Sequence, residues 1–206
     1  MCGRYTLACP DRDALIAGLP YDEFSETRIA FRPRYNIAPG QRSPVVYLGD
    51  AGAVLDDAQW GFDRATGGIT INARSETASR TAMFRNAFRA GRCLVPADGF
   101  FEWRREGRVN QPYLFGRELG ELFLMAGLRQ RDRYVVLTCE ADDSVADIHD
   151  RMPVLLDPSD ARAWLDEGRI GKAPRLVRTA VSPRVNRIEN DDPACLEEVP
   201  QESFDF

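Results

Sequence analysis

The 206-residue chain is nearly without histidine and lysine: it holds one of each, His149 and Lys172. The shortage of histidine restricts imidazole acid–base chemistry near neutral pH to a single position. The shortage of lysine makes almost all positive charge guanidinium, whose planar fork matches phosphate and carboxylate oxygens. No apolar run is long enough to span a bilayer. The N-terminus lacks the basic-then-apolar pattern of a secretion signal, so a cytoplasmic protein is expected. No CxxC pair occurs among the five cysteines, Cys2, Cys9, Cys93, Cys139 and Cys195. Their odd number and scatter argue against a disulfide framework and against a zinc site. Cys93 and Cys139 lie in apolar runs and read as buried core thiols, Cys9 and Cys195 as incidental.

At 44% hydrophobic and 29% charged, the chain has the composition of a globular protein. Its length suits a single domain over residues 1–206. The net charge of −5 is unevenly spread: the seven acids of residues 189–206 bring down a body that is +2 without them. Residues 169–187 carry six bases and no acid, and residues 74–92 carry five arginines against Glu76. Such runs are either a solvated face or an electrostatic footprint for a polyanion.

Short strands are expected at "GRYTLA", "PVVYL", "GITIN", "CLVPA", "GFFEW", "PYLFG", "LFLMAGL" and "YVVLTC". Helices are expected at "PDRDALIAGL", "SETASRTAMFRNAF", "DSVADIH" and "PSDARAWLDEG". "RPRYNIAPG" reads as a loop. Many strands with few helices between them suggest a compact α+β domain, with a mixed or antiparallel, barrel-like β core and flanking helices.

Four residues could carry chemistry. Cys2 follows the initiator methionine, and removal of Met1 would give one residue both an α-amine and a thiol. His149 in "IHDRMPVLL" is either structural or the one imidazole available. Alternation along "GFFEW" puts Glu102 on the face of Phe100, opposite Phe101 and Trp103. It is either a surface carboxylate or one whose pKa apolar neighbours raise, which would let it donate a proton. Asn72 at the end of "ITIN" is a turn residue, a cap or a site residue.

Taken in order, "MCGR", "RYNIAPG", "INARSET", "CLVPADGFFEW", "IHDRMPVLL" and "VSPRVNRIENDDP" resemble the SOS-response-associated peptidase (SRAP) family, which crosslinks to abasic sites in DNA. The resemblance implies an autopeptidase that removes Met1 and then forms and reverses a covalent DNA adduct. Cys2 would attack the ring-opened deoxyribose and close a thiazolidine, assisted by Asn72, Glu102 and His149. It implies a monomer, on the nucleoid when bound, whose partner is single-stranded DNA containing abasic sites, with no membrane role and no metal or organic cofactor. Arg4, Arg74 and Arg151 would hold phosphates. Asn36 and Pro39 would line the cleft, and Thr138 would sit near the sugar. Met83 and Phe84 would form an apolar wedge, with a core role an equal reading for Met83.

One departure stands out. The family follows its "WG" with a stretch containing proline and a second tryptophan, whereas "QWGFDRATGGITIN" has neither. Two other readings share some features. An N-terminal-nucleophile glutaminase also opens with methionine, cysteine and glycine, but "IHDRMP" and "GFFEW" have no place in it. A module that binds modified or single-stranded DNA without chemistry would need no nucleophile at position 2.

Overall fold

Continuous apolar and β-branched runs build the centre of the protein. In this computed structural model, which describes residues 2–106 and 109–200, five strands are joined into a ring. Arg42–Gly49 pairs with Gly52–Trp60 and with Arg92–Ala97. Arg92–Ala97 continues to Phe123–Gln130, and that strand to Arg133–Glu140. A short parallel join closes the circuit, with Gln59 and Trp60 opposite Arg133 and Tyr134. Closure removes sheet edges and leaves an interior filled by side chains. Val46, Leu55, Leu94, Leu128 and Val136 are all fully buried.

A second sheet runs in the order Val177–Ala180, Val109–Gly116, Gly99–Glu106, Tyr5–Leu7 and Arg34–Ile37. The chain passes from ring to second sheet through one residue, Asp98, between Arg92–Ala97 and Gly99–Glu106. Phe100 faces the main core, while Phe101 packs with Val181, Val185 and Cys195 in a smaller cluster bordered by Trp103. The alternation read from "GFFEW" is therefore present. The architecture is mixed α+β, with the ring-like core expected. No helix among the described residues is long and apolar enough to cross a membrane.

The helix Pro158–Glu167 begins with proline in its first turn and stops at Gly168, whose φ of 74° is the left-handed C-terminal conformation. Its Trp164 is buried and donates its indole N–H to the Cys93 carbonyl at 2.9 Å. Arg12–Ala17 is capped by the Asp11 carboxylate, which accepts from the Ala14 N–H at 2.8 Å.

Other expectations need correcting. "SETASRTAMFRNAF" gives two short helices, Ser75–Ala78 and Arg85–Ala90. Between them Thr81 donates its hydroxyl to the Thr77 carbonyl, the local polar competition that weakens a helix. "DSVADIH" forms successive turns rather than a helix. The Asp142 carbonyl accepts from both Val145 and Ala146, and its carboxylate accepts from Ser144. "RPRYNIAPG" contains the strand Arg34–Ile37. Of the two cysteines read as core thiols, Cys93 is fully buried and Cys139 only partly, whereas Cys195, read as incidental, is fully buried.

The stretch after Trp60 folds as a small hairpin, Phe62–Asp63 with Ile69–Thr70. Gly61 precedes it at φ 120°, and a Cβ there would lie 2.8 Å from Ile69 Cδ1. Its N–H also donates to the Tyr134 carbonyl at 2.7 Å, beside the ring closure. Gly61→Ala is expected to cost about 2 kcal/mol, lowering the thermal midpoint by about 4–8 °C in calorimetry. An unchanged midpoint would show that the closure tolerates an ordinary residue there.

Candidate active site

Cys2 enters the protein just ahead of the strand Tyr5–Leu7, which lies between Gly99–Glu106 and Arg34–Ile37. Pairing fixes this stretch: the Phe101 N–H donates to the Arg4 carbonyl at 3.0 Å, and Tyr5 is in register with Phe100. The Cys2 side chain is fully buried, and its carbonyl accepts the Asn72 amide N–H at 2.8 Å. Asn72 opens the strand Asn72–Arg74, which runs parallel to Val136–Thr138 of the ring. Its Oδ1 is buried and has no hydrogen-bond partner among the described residues. Met1, whose removal the sequence reading expects, lies outside the described residues.

Glu102 sits on the face of its strand that points to the main core and is only 4% exposed. Burial raises the pKa of its carboxyl, and the nearby His149 partly offsets the rise. Burial likewise pushes the Cys2 thiol far above its ordinary range, and the Glu102 charge adds to the effect. Cys2, Glu102 and His149 thus share one electrostatic neighbourhood, and Asn72 joins it by a hydrogen bond. Beneath them the hydroxyls of Tyr5 and Tyr134 lie 2.6 Å apart, fully buried, with the Trp60 ring edge-on to Tyr5 and stacked on Tyr134.

His149 ends the turn-rich loop that connects Arg133–Glu140 to Arg151–Pro153. Its Nδ1 is 2.9 Å from the Arg151 N–H and 2.9 Å from the Asp150 carboxylate. The two contacts require opposite states. A lone pair on Nδ1 accepts from Arg151 and leaves a proton on Nε2, whereas a proton on Nδ1 pairs with Asp150. The His149 side chain is 31% exposed.

The residues assigned to DNA contacts lie in several environments. Arg4 donates to Asn36 Oδ1 at 2.7 Å and to the Val185 carbonyl at 2.8 Å, with its guanidinium 5.7 Å from the Trp103 ring. Asn36 is completely buried, and its amide donates to the carbonyls of Val185, Arg187 and Asn190. Pro39 is half-buried, Arg74 is exposed, and Thr138 is buried. Arg151 forks onto Glu76 at 2.7 and 3.0 Å and donates to the Thr138 carbonyl at 2.6 Å. That fork holds the Glu76 carboxyl down at about 2. Met83 is 39% exposed, whereas Phe84 is buried against Phe62.

Sequence reading missed several supporting residues. Asp191 accepts the backbone N–H groups of Tyr35 and Asn36 at 2.7 and 3.0 Å and pairs with Arg34. The acidic end of the chain is thereby fastened to the strand that carries Asn36. "VNRIENDDP" contains this residue, but nothing in its spacing announces a partner more than 150 residues away. Much of the basic run is also neutralised internally: Arg178 pairs with Asp147 and Arg184 with Asp192. Among the described residues no group of three or more His, Cys, Asp or Glu side chains could hold a metal ion.

The fold recurs in solved structures. A protein from Bacteroides thetaiotaomicron superposes with a TM-score of 0.78 at 19% identity, covering 97% of this chain and 100% of that one. One from Bordetella bronchiseptica gives 0.73 at 25% identity, covering 88% and 100%. The model of the SOS response associated peptidase (SRAP) family matches residues 1–189. Among curated relatives, the abasic site processing protein YedK of Escherichia coli is 35% identical over 191 residues, covering 84% of this chain and 82% of its own. The abasic site processing protein YoqW of Bacillus subtilis is 31% identical over 224 residues, covering 96% and 99%. The chain belongs to the SRAP family.

Because the folded-state pKa of Glu102 is raised, the fold binds its proton more tightly than the unfolded chain does. That contribution to stability is complete below the ordinary carboxylate value and is lost as pH rises through the folded value. Glu102→Gln removes the cost of burying a charge, so its thermal midpoint should exceed the parent's at pH 8, with the gap closing toward pH 4. Asn36→Ala leaves three carbonyls and Arg4 short of a partner, and chemical denaturation should show a loss of about 3 kcal/mol. A loss no larger than that of an exposed asparagine would show that water replaces these bonds.

Proposed function

We propose that this protein processes abasic sites in DNA by covalent capture at Cys2. The observation that carries the reading is the convergence of four residue types at one place. The Cys2 main chain is fixed by Asn72, and Glu102 and His149 are electrostatically coupled beside it. The names of the curated relatives supply the substrate class, DNA with abasic sites.

The chemistry begins with hydrolysis of the Met1–Cys2 peptide bond, which consumes one water and frees the α-amine. An abasic deoxyribose opens to an aldehyde as its C1–O ring bond breaks, the ring oxygen taking a proton that the buried Glu102 carboxyl can supply and the anomeric hydroxyl releasing one. The neutral amine adds to the aldehyde carbon, and loss of water gives an imine. The Cys2 thiol then adds across the C=N bond, with sulfur bonding to carbon and the thiol proton passing to nitrogen. The product is a five-membered thiazolidine.

Ring closure is intramolecular, which can be worth an effective concentration on the order of 10⁵ M or more. A thiol held neutral by burial suits this order of events, with the amine attacking first. Asn72 Oδ1, buried with no partner among the described residues, is available to orient the amine or a sugar hydroxyl. His149, with two alternative Nδ1 partners, takes the second acid–base role, at the sugar hydroxyl and in reversal. Arg4, Arg74, Arg151, Asn36, Pro39, Thr138 and Met83 are assigned to single-stranded DNA along the approach, as contacts or as supports for them. Such contacts to backbone and unstacked bases give little sequence selectivity.

Protein shown by intact mass to lack Met1 is expected to give a denaturation-resistant adduct with single-stranded DNA carrying one abasic site. Chemical blocking of the α-amine should abolish it. Glu102→Ala should slow formation by about 10²-fold or more, and His149→Ala should slow formation, reversal or both. Adduct formation by Cys2→Ala at the parent's rate would rule the mechanism out.

A further inference from the structure

Glu102 and His149 belong to different parts of the fold. Glu102 lies in a strand of the second sheet, whereas His149 closes a loop between two strands of the ring sheet. Their mutual placement depends on how that loop, residues 141–150, leans on the second sheet. On the ring side the loop closes on itself, with the Ala141 N–H donating to the Asp150 carbonyl at 3.0 Å. Val145 anchors it in the main core, and Ile148 packs against the same core.

On the other side it presents Asp147. Both oxygens of this carboxylate are 2.7 Å from Arg178 Nη1, and one is 2.5 Å from Arg104 Nη2. The two guanidinium groups lie 5.4 and 5.2 Å from the centre of the same ring, Tyr113. Tyr113 is the cross-strand partner of Glu102. Arg104 follows Glu102 by two residues and shares its face, and Asp147 precedes His149 by two residues. The ion pair spans the gap between the element that carries the carboxylate and the one that carries the imidazole.

We propose that Asp147 is a positioning residue, whose clamp on Arg104 and Arg178 holds the loop to the second sheet and fixes His149 beside Glu102. The Asp147 side chain is 49% exposed, so solvent screens the pairs and their contribution to overall stability is small. Their consequence is geometric: two guanidinium forks held over one aromatic ring restrict where the carboxylate sits.

The single histidine makes this testable without any activity. The ring-proton NMR signals of His149 stand alone in the histidine region, and at a pH high enough to ionise Glu102 the substitution Glu102→Gln should move them through the lost neighbouring charge. In an Asp147→Asn background, that displacement should fall to about half or less of its value in the parent. An Arg104→Ala/Arg178→Ala background, which keeps the Asp147 charge, should reduce it in the same way and so separate position from direct field. Thermal midpoints should change by less than about 4 °C in the Asp147→Asn protein.

Equal displacement in all backgrounds, or none in the parent, would overturn the proposal. Should Asp147→Asn fail to fold, the arginine variant decides. Failure of both to fold would make the clamp a folding element and also overturn it. The proposal takes its meaning from the roles given above to Glu102 and His149. Because the signal is read without DNA, failure of adduct formation and failure of coupling remain separate results.

Discussion

Asp98 carries the chain from the ring to the second sheet in a single residue, and the location of the candidate site follows from that crossing. Its N–H donates to the Thr6 carbonyl at 3.1 Å, and its carboxylate accepts the Ala8 N–H. Both bonds fasten the strand Tyr5–Leu7 beside Gly99–Glu106. Cys2, three residues before that strand, and Glu102, four residues after the crossing, are therefore delivered to the same end of the sheet. Burial pushes the Asp98 carboxyl up to about 6, so the crossing is held by a group that ionises close to physiological pH. The backbone around it leaves little room. A Cβ on Gly99 would lie 2.5 Å from Leu114 Cδ1, and one on Gly116 would lie 2.9 Å from the Asp98 carbonyl oxygen.

The ring supplies the other half. Asn72 arrives on a strand laid parallel to Arg133–Glu140, and His149 arrives on the loop that leaves the far end of that same strand. Two site residues thus depend on one ring strand, and two depend on the second sheet. The Tyr5–Tyr134 hydroxyl pair crosses between these halves under Cys2, with one phenol from each. Buried and mutually satisfied, such a pair joins the two sheets without bringing an unpaired polar group into the core.

Local pattern made part of this legible. The alternation of "GFFEW" put Glu102 with Phe100 because a strand has no freedom in which face each residue takes. Pro158 and Gly168 bounded their helix because each suits only one end. The failures came where distant partners decide. Arg34–Ile37 looks like a loop because two prolines and a glycine surround it, yet it is a strand because Asp191 and the first strand satisfy its backbone. The strand Gly52–Trp60 carries Asp56 and Asp57 at its centre, which hides it from a search for apolar alternation. "DSVADIH" has helical spacing but forms only successive turns, in a loop that closes on itself from the Ala141 N–H to the Asp150 carbonyl. The grouping of Cys2, Asn72, Glu102 and His149 could not be derived from spacing at all; it entered through resemblance to a family, since only the placement of the second sheet against the ring brings residues 2 and 149 together.

The bond from Asn72 reaches the carbonyl of residue 2, not its side chain. Every amino acid owns that carbonyl. The main-chain anchor at the head of the first strand is consequently common to any occupant, while the closed space around the side chain admits only a small one, and anchoring and reactivity are divided between main chain and thiol. A lineage with this backbone could exchange the reactive group at position 2 without rebuilding the floor beneath it.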